Sequence, residues 1–163
     1  MPFLTADLYD AHGDDLQVAL PLFRDFGGRT DFHGPVVTLK VHEDNSLVRE
    51  VLGEAGEGRV LVVDGGGSLR CALLGDNLAR MAAANGWSGL VIHGCIRDSV
   101  EIAKLPVGVK ALATNPTRSL KRGEGQRDVV VRFADVSFVP DCYIYADADG
   151  IVVSLEALAA TGD

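Results

Sequence analysis

Aromatic residues are scarce in this chain, 6% of 163 residues with a single Trp, so aliphatic side chains must fill the core. Cysteine is scarcer still. Cys71, Cys95 and Cys142 stand far apart and form no CxxC pair, which argues against a thiolate zinc site. An odd number of thiols fits a reducing cytoplasm. No stretch approaches the roughly 20 apolar residues of a membrane span. The opening "MPFLTADLYD" lacks the basic and apolar regions of a signal peptide. Cations are outnumbered, 15 against 23 acids, for a net charge of -8. That excludes the broad basic surface a direct nucleic-acid binder needs. The one basic cluster, Arg118, Lys121 and Arg122, reads as a solvated loop.

Glycine, by contrast, is plentiful: 19 residues, implying many tight turns. No repeat, low-complexity tract or linker interrupts the chain, so residues 1–163 read as one domain. "TADLYDAHG" predicts a short helix with Thr5 as a cap and Gly13 as a stop. "PVVTLKV" predicts a strand. Asp44 or Asn45 then caps a helix whose Leu47, Val48, Val51 and Leu52 share a face. "RVLVVDGGGS" reads as a buried strand running into a glycine turn. Gly75 and Asp76 open a third helix that Gly86 closes, and "GLVIHG" is another apolar strand. "VGVKALAT", "DVVVRF", "VSFV" and "IVVS" continue as strands, and residues 155–160 read as a terminal helix. Strands and helices alternate first, and strands dominate later. The fold class is α/β with a mixed sheet, or two sheets and a helical layer.

The familiar catalytic motifs are missing. "VVDGGGS" has neither the G-x-G-x-x-G register nor Gly-Lys-Ser/Thr, and the strand that follows ends in His93 and Gly94, not in an acid. Nucleotide or methyl-donor binding therefore has little support. A turn needing positive φ is the stronger reading, and a third is a small-anion pocket beside the Gly75 turn. His12, His33, His42 and His93 occur in no HxH or HExxH spacing, and no serine sits in a G-x-S-x-G elbow. His93 reads as a satisfied buried imidazole, and Cys95 as a small core residue without a base partner.

The strongest candidate is Asp76 with Arg97-Asp98. The pair falls just beyond the apolar strand that starts at Gly89, where open α/β sheets bind ligands. The free amides of a helix starting at Asp76 attract an anion, and Arg97 adds a bidentate grip on a carboxylate. Asp98 offers the hard oxygen that Mg²⁺ or Mn²⁺ prefers, and Asp76 is placed to hold a water of that cation. The competing reading makes Asp76 only an N-cap and Arg97-Asp98 only a surface pair.

"ALPLFRDFGGRTDFHG", "EDNSLVREVL", "GRVLVVDGGGSLRCALLGDNLA", "GWSGLVIHGCIRD" and "YADADGIVVS" together resemble the regulator of ribonuclease activity A family, over roughly Thr5 to Leu158. That family includes the class II 4-hydroxy-4-methyl-2-oxoglutarate aldolases. The resemblance implies a three-layer β/β/α swivelling fold and a homotrimer with sites at subunit interfaces. It also implies a divalent-metal-dependent lyase acting on small 2-oxo acids. The aldolase signature, an Asp, twenty intervening residues and Arg-Asp, is matched by Asp76 and Arg97-Asp98. By resemblance, Gly75, Asp76, Asn77 and Leu78 form the substrate loop, Arg97 and Asp76 are catalytic, and Asp98 ligates the metal. Lys121 corresponds to a lysine near the site. Two functions follow as expectations. One is aldol cleavage to pyruvate, with oxaloacetate decarboxylation through the same pyruvate enolate. The other is a regulator that docks on a ribonuclease. Regulators in the family lack the second acid of the Arg-Asp pair, and this chain keeps it. Longer aldolases bring a C-terminal carboxylate from a neighbouring subunit, a group expected to be absent from a chain ending at Asp163. The methyltransferase label some relatives carry gains nothing from the failed methyl-donor motif.

Overall fold

The structure, a computed structural model, describes residues 2–158. In chain order the elements are α1 (Thr5–His12), β1 (Gln17–Val18), β2 (Arg24–Asp25), β3 (Phe32–Lys40), α2 (Ser46–Leu52), β4 (Val60–Asp64), β5 (Ala72–Leu74) and α3 (Asp76–Ala84). There follow β6 (Gly89–Ile96), α4 (Ser99–Ile102), β7 (Gly108–Thr114), β8 (Gln126–Arg127), β9 (Val131–Phe133), β10 (Val136–Phe138), β11 (Tyr143–Asp147) and β12 (Gly150–Ser154). The fold is α/β with a mixed, curled sheet in the order β1-β12-β11-β3-β4-β6-β7-β2, with β5 added beside β6 and β8 beside β3.

The long strand β3 belongs to both halves of that sheet. Residues 32–35 pair antiparallel with β11, and residues 36–40 pair parallel with β4. Gly34 lies in the first of these stretches at φ +156°, and a Cβ there would strike the Gly58 carbonyl. The central strands β4 and β6 are buried on both faces, which explains their continuous apolar runs. Leu61 and Val63 point into a core with Val48, Val51, Leu52, Leu78, Ala79 and Ala82 of α2 and α3. Val60, Val62 and Val91 point the other way, onto Val131, Phe133, Val136, Phe138, Ile144 and Val153. The period-2 alternation of a strand thus places helices on one face and the β9–β10 hairpin with β11 and β12 on the other. These are the helix, sheet and sheet layers that the sequence implies.

Two local expectations are corrected. Leu4, not Thr5, occupies the N-cap of α1. Thr5 is instead buried, donating its backbone N–H and hydroxyl to the Asp147 carboxylate at 2.8 and 2.7 Å, which anchors α1 to β11. The terminal helix does not form over residues 155–158. There the Leu158 N–H donates to the Tyr145 hydroxyl at 2.9 Å instead of to a helical carbonyl. The rest of that predicted helix, residues 159–160, lies outside the described residues. Among the described residues, no helix is long and apolar enough to cross a membrane.

Phe32 packs across β6 and β7 at Gly89 and Gly108, which face each other in register. A Cβ at either glycine would enter the Phe32 ring. Gly108→Ala is therefore expected to cost about 1–3 kcal/mol by overpacking, read as a lowered melting temperature. Phe32→Leu in the same chain should recover part of the loss.

Candidate active site

The site is built where two parallel strands end side by side. β5 joins the last rungs of β6, with Ala72 opposite Cys95 and Leu74 opposite Ile96, and the Arg97 N–H donates to the Leu74 carbonyl at 2.9 Å. After β5 the chain turns at Gly75 into α3. After β6 it turns at Asp98, whose φ of +58° is left-handed, into α4. Asp tolerates that conformation better than most residues. Both turns leave the sheet at one edge, and they touch. The Asp98 Oδ2 accepts the Asp76 N–H at 3.1 Å. A Cβ on Gly75 would lie 2.9 Å from that same oxygen and 3.6 Å from Arg97 Nε, so a side chain there would push the Asp98 carboxylate from its place.

Gly75 itself is the N-cap of α3, and Asp76 is the first helical residue. The reading of Asp76 as a cap is corrected accordingly: its side chain caps nothing and bonds Arg80 Nη1 at 2.7 Å. The Arg80 guanidinium holds the Asp76 carboxyl below the usual carboxylate range, and the adjoining Asp98 carboxyl contributes. A cavity of about 410 Å³ opens here. Gly75, Asp76, Asn77, Leu78, Arg97 and Asp98 all line it, so the fold brings the sequence-derived set together. Lys121 lines it as well.

Other wall residues were given no site role in the sequence reading. Asn45, Ser46 and Arg49 come from the start of α2, and Arg118 and Ser119 from the connection between β7 and β8. The reading of Arg118 and Lys121 as a merely solvated loop is thus corrected. A usable signal was present, since no Asp or Glu occurs between Glu101 and Glu124 in an otherwise acidic chain. Arg122 differs: its backbone N–H donates to Asp44 Oδ2 at 2.7 Å.

Asp44 fixes this connection. It is 2% exposed, and its carboxylate accepts the Ser46 N–H and hydroxyl and the N–H groups of Arg122 and Glu124. Burial pushes the Asp44 carboxyl up, but those hydrogen bonds outweigh it and hold the group at about 2.

The remaining candidates lie elsewhere. Gly66 and Gly67 have φ of +68° and +72°, as a positive-φ turn requires. They do not line the Gly75 cavity; Gly66 borders a separate recess with Lys40, His42 and Asp64, so the small-anion pocket beside Gly75 is not formed by this turn. His93 does not line the cavity either. Its ring stacks on Phe133 at 4.8 Å, and its buried Nδ1 has no hydrogen-bond partner among the described residues, so it is packed but not satisfied as expected. Cys71, Cys95 and Cys142 are free and buried, and burial pushes all three thiols up, away from thiolate chemistry.

Among the described residues no three His, Cys, Asp or Glu side chains gather as a closed metal cage. Mg²⁺ and Mn²⁺ do not need one, since such ions keep several waters and take one or two carboxylates. Asp98 and Asp76, adjoining at the cavity wall, supply that donor set.

Comparison with known proteins agrees with this architecture. The RraA-like family model, described as Aldolase/RraA, matches residues 5–153. The chain belongs to that family. It is 59% identical to a "Putative 4-hydroxy-4-methyl-2-oxoglutarate aldolase" of Alkalilimnicola ehrlichii, covering 94% of this chain and 96% of that one. A protein of the same name from Laribacter hongkongensis is 56% identical over 97% and 99% of the two chains. Among solved structures, the S-adenosylmethionine: 2-dimethylmenaquinone methyltransferase from Geobacillus kaustophilus HTA426 superposes with a TM-score of 0.95. It is 52% identical, over 99% of this chain and 100% of that one. The RNA-processing inhibitor RraA from Thermus thermophilis gives 0.94 and 46%, over 98% and 97%.

Because the Asp44 carboxyl sits below its ordinary value of 3.8 in the folded protein, its contribution to stability is present above about pH 5. It is lost as pH falls through about 4 towards 2. The melting-temperature gap between the parent and Asp44→Asn should be constant near neutrality and close over that acid range.

Proposed function

We propose that this chain is a divalent-metal-dependent pyruvate aldolase that cleaves 4-hydroxy-4-methyl-2-oxoglutarate into two pyruvates, and that the same site decarboxylates oxaloacetate. The observation that carries this is the contact between the Asp98 carboxylate and the first amide of α3, inside a cavity that Arg97 also lines. The names of the relatives at 55–59% identity support the aldolase reading over a methyltransferase.

The C1 carboxylate of the substrate would lie on the open amides at the start of α3, in reach of the Arg97 guanidinium. Asp98 would hold the cation and Asp76 one of its waters; when bound, the cation supplies Lewis-acid polarisation of the 2-keto group. Arg97 keeps its place through Nη1, which donates to the Pro116 carbonyl at 3.3 Å, and its remaining N–H groups are available to the developing enolate oxygen. In the cleavage, the C4 hydroxyl loses its proton, the C3–C4 bond breaks, and the electron pair moves into the C2 carbonyl. This yields one pyruvate and one pyruvate enolate. Protonation at C3 of the enolate gives the second pyruvate. Oxaloacetate reaches the same enolate by losing CO₂. Asp76 is a poor base, since Arg80 keeps it ionised, and its role is to accept from the water that receives the hydroxyl proton.

A second reading rests on the 46% identity to an RNA-processing inhibitor. In it the chain, with its net charge of -8, docks on a basic segment of a ribonuclease. Homotrimer formation and a cytoplasmic location belong to both readings.

A coupled pyruvate-release assay tests the first. Turnover of both substrates should require Mg²⁺ or Mn²⁺ and vanish with chelator. Asp98→Ala should abolish it, and Arg97→Ala should lower kcat/KM by about 10²- to 10³-fold. Full metal-dependent decarboxylation by Asp98→Ala would refute the role given to that carboxylate. An RNA-cleavage assay separates the readings: inhibition that survives chelator and Arg97→Ala reports docking, not catalysis.

A further inference from the structure

In the aldolase reading Asp76 holds a water of the cation, so something must hold Asp76. The helix start does not, because the Asp76 side chain caps nothing. The group also adjoins the Asp98 carboxyl, and carboxylates side by side repel each other. Left alone, Asp76 would turn away from Asp98.

One side chain outside the cavity opposes that. Arg80 follows Asp76 by one turn of α3. Its Nη1 donates to Asp76 Oδ2 at 2.7 Å and lies 3.5 Å from Asn77 Oδ1. Its Nη2 stands 3.7 Å from Glu101 Oε2 on α4, and Lys104 Nζ donates to Glu101 Oε1 at 3.1 Å. The guanidinium therefore has one arm on each of the helices that begin at Asp76 and just after Asp98. A planar fork can serve two carboxylates in different directions, whereas an ammonium is a single point of charge. With Oδ2 engaged, Asp76 keeps Oδ1 for a water of the cation.

The fold does not need this pairing. The Arg80 and Glu101 side chains are each 47% exposed, and exposed ion pairs contribute little to stability. Neither residue lines the cavity. What the pairing does fix is the orientation of one acid at the site.

We propose that Arg80 and Glu101 are positioning residues that hold Asp76 beside Asp98 and thereby set the affinity of the site for its divalent cation. The proposal rests on the aldolase reading and extends it to residues that touch neither the substrate nor the reacting atoms. Arg80 acts on Asp76 directly. Glu101 acts through Arg80, by fixing the direction of its guanidinium.

The test measures Mn²⁺ binding by electron paramagnetic resonance without substrate, with Asp98→Ala as the background, beside the kinetics of oxaloacetate decarboxylation. Arg80→Met should raise the Mn²⁺ dissociation constant about 10- to 100-fold, the loss typical when a group that orients a metal site is removed. Arg80→Lys should recover part of that loss. Glu101→Gln should weaken binding less, and adding it to Arg80→Met should weaken binding no further, since it acts through Arg80. At saturating Mn²⁺ the KM for oxaloacetate should hardly change, and the melting temperature of each variant should stay close to that of the parent. Unchanged Mn²⁺ affinity in Arg80→Met overturns the proposal and leaves the aldolase reading standing. A large fall in melting temperature with no recovery in Arg80→Lys marks a structural role and overturns it as well. Additive losses in the double variant remove Glu101 from it. A parent protein that binds Mn²⁺ through Asp98 but releases no pyruvate overturns the aldolase reading alone. A parent that binds no Mn²⁺ above the Asp98→Ala background overturns both.

Discussion

The hydrogen bond from the Asp76 amide to the Asp98 carboxylate joins the ends of two neighbouring strands and the starts of two helices. It puts a negative group at the positive end of the α3 dipole, where it is favoured. It also depends on two local concessions. Asp98 takes a left-handed backbone conformation, which costs on the order of 1 kcal/mol or more. Gly75 forgoes a side chain so that the carboxylate can approach. Neither helps the sheet or the core. Both make sense if the carboxylate must stand beside amides that also receive an anion. A cation between them then satisfies an acid and a 2-oxo acid at once.

A second carboxylate, Asp44, this one buried, does for the rest of the cavity what Asp98 does for its base. Asp44 binds three backbone N–H groups and one hydroxyl, from two segments nearly eighty residues apart in sequence. It thereby lays the acid-free stretch that carries Arg118 and Lys121 along the start of α2. The surface of the protein is acidic, but this recess is lined by cations held on a fixed backbone. Such a recess concentrates small anions.

Much of this was legible in the sequence where the physics is local. β4 and β6 announce themselves as unbroken apolar runs because both faces are buried, and α3 is bracketed by Gly75 and Gly86. Their order places Arg97 and Asp98 past a strand and Asp76 at a helix start, which is enough to suggest a shared site. What stayed hidden depends on distance. β5 has three residues and β8 two, too few to show a period, yet β5 is what brings Leu74 beside Ile96 and so Gly75 beside Asp98. Arg49 reads as an ordinary exposed position on an amphipathic helix; only the fold sets it in the same cavity as Arg97. Over residues 155–158 the expected helix does not form, because the Leu158 amide, which a helix would spend on the Ser154 carbonyl, donates to the Tyr145 hydroxyl. Thr5 was misread for a similar reason, since its partner Asp147 lies at the other end of the chain.

The central claim is that the end of β6 and the start of α3 make one cradle for a cation and a 2-oxo acid. A crystal structure with Mn²⁺ and oxalate, a stable mimic of pyruvate enolate, tests it directly through the anomalous signal of the metal. The account predicts a manganese peak within bonding distance of an Asp98 oxygen, with oxalate on the same ion and one of its carboxylates against the Gly75–Leu78 amides and Arg97. Manganese bound at any other carboxylate, with Asp98 still engaged only by the Asp76 amide, would contradict it.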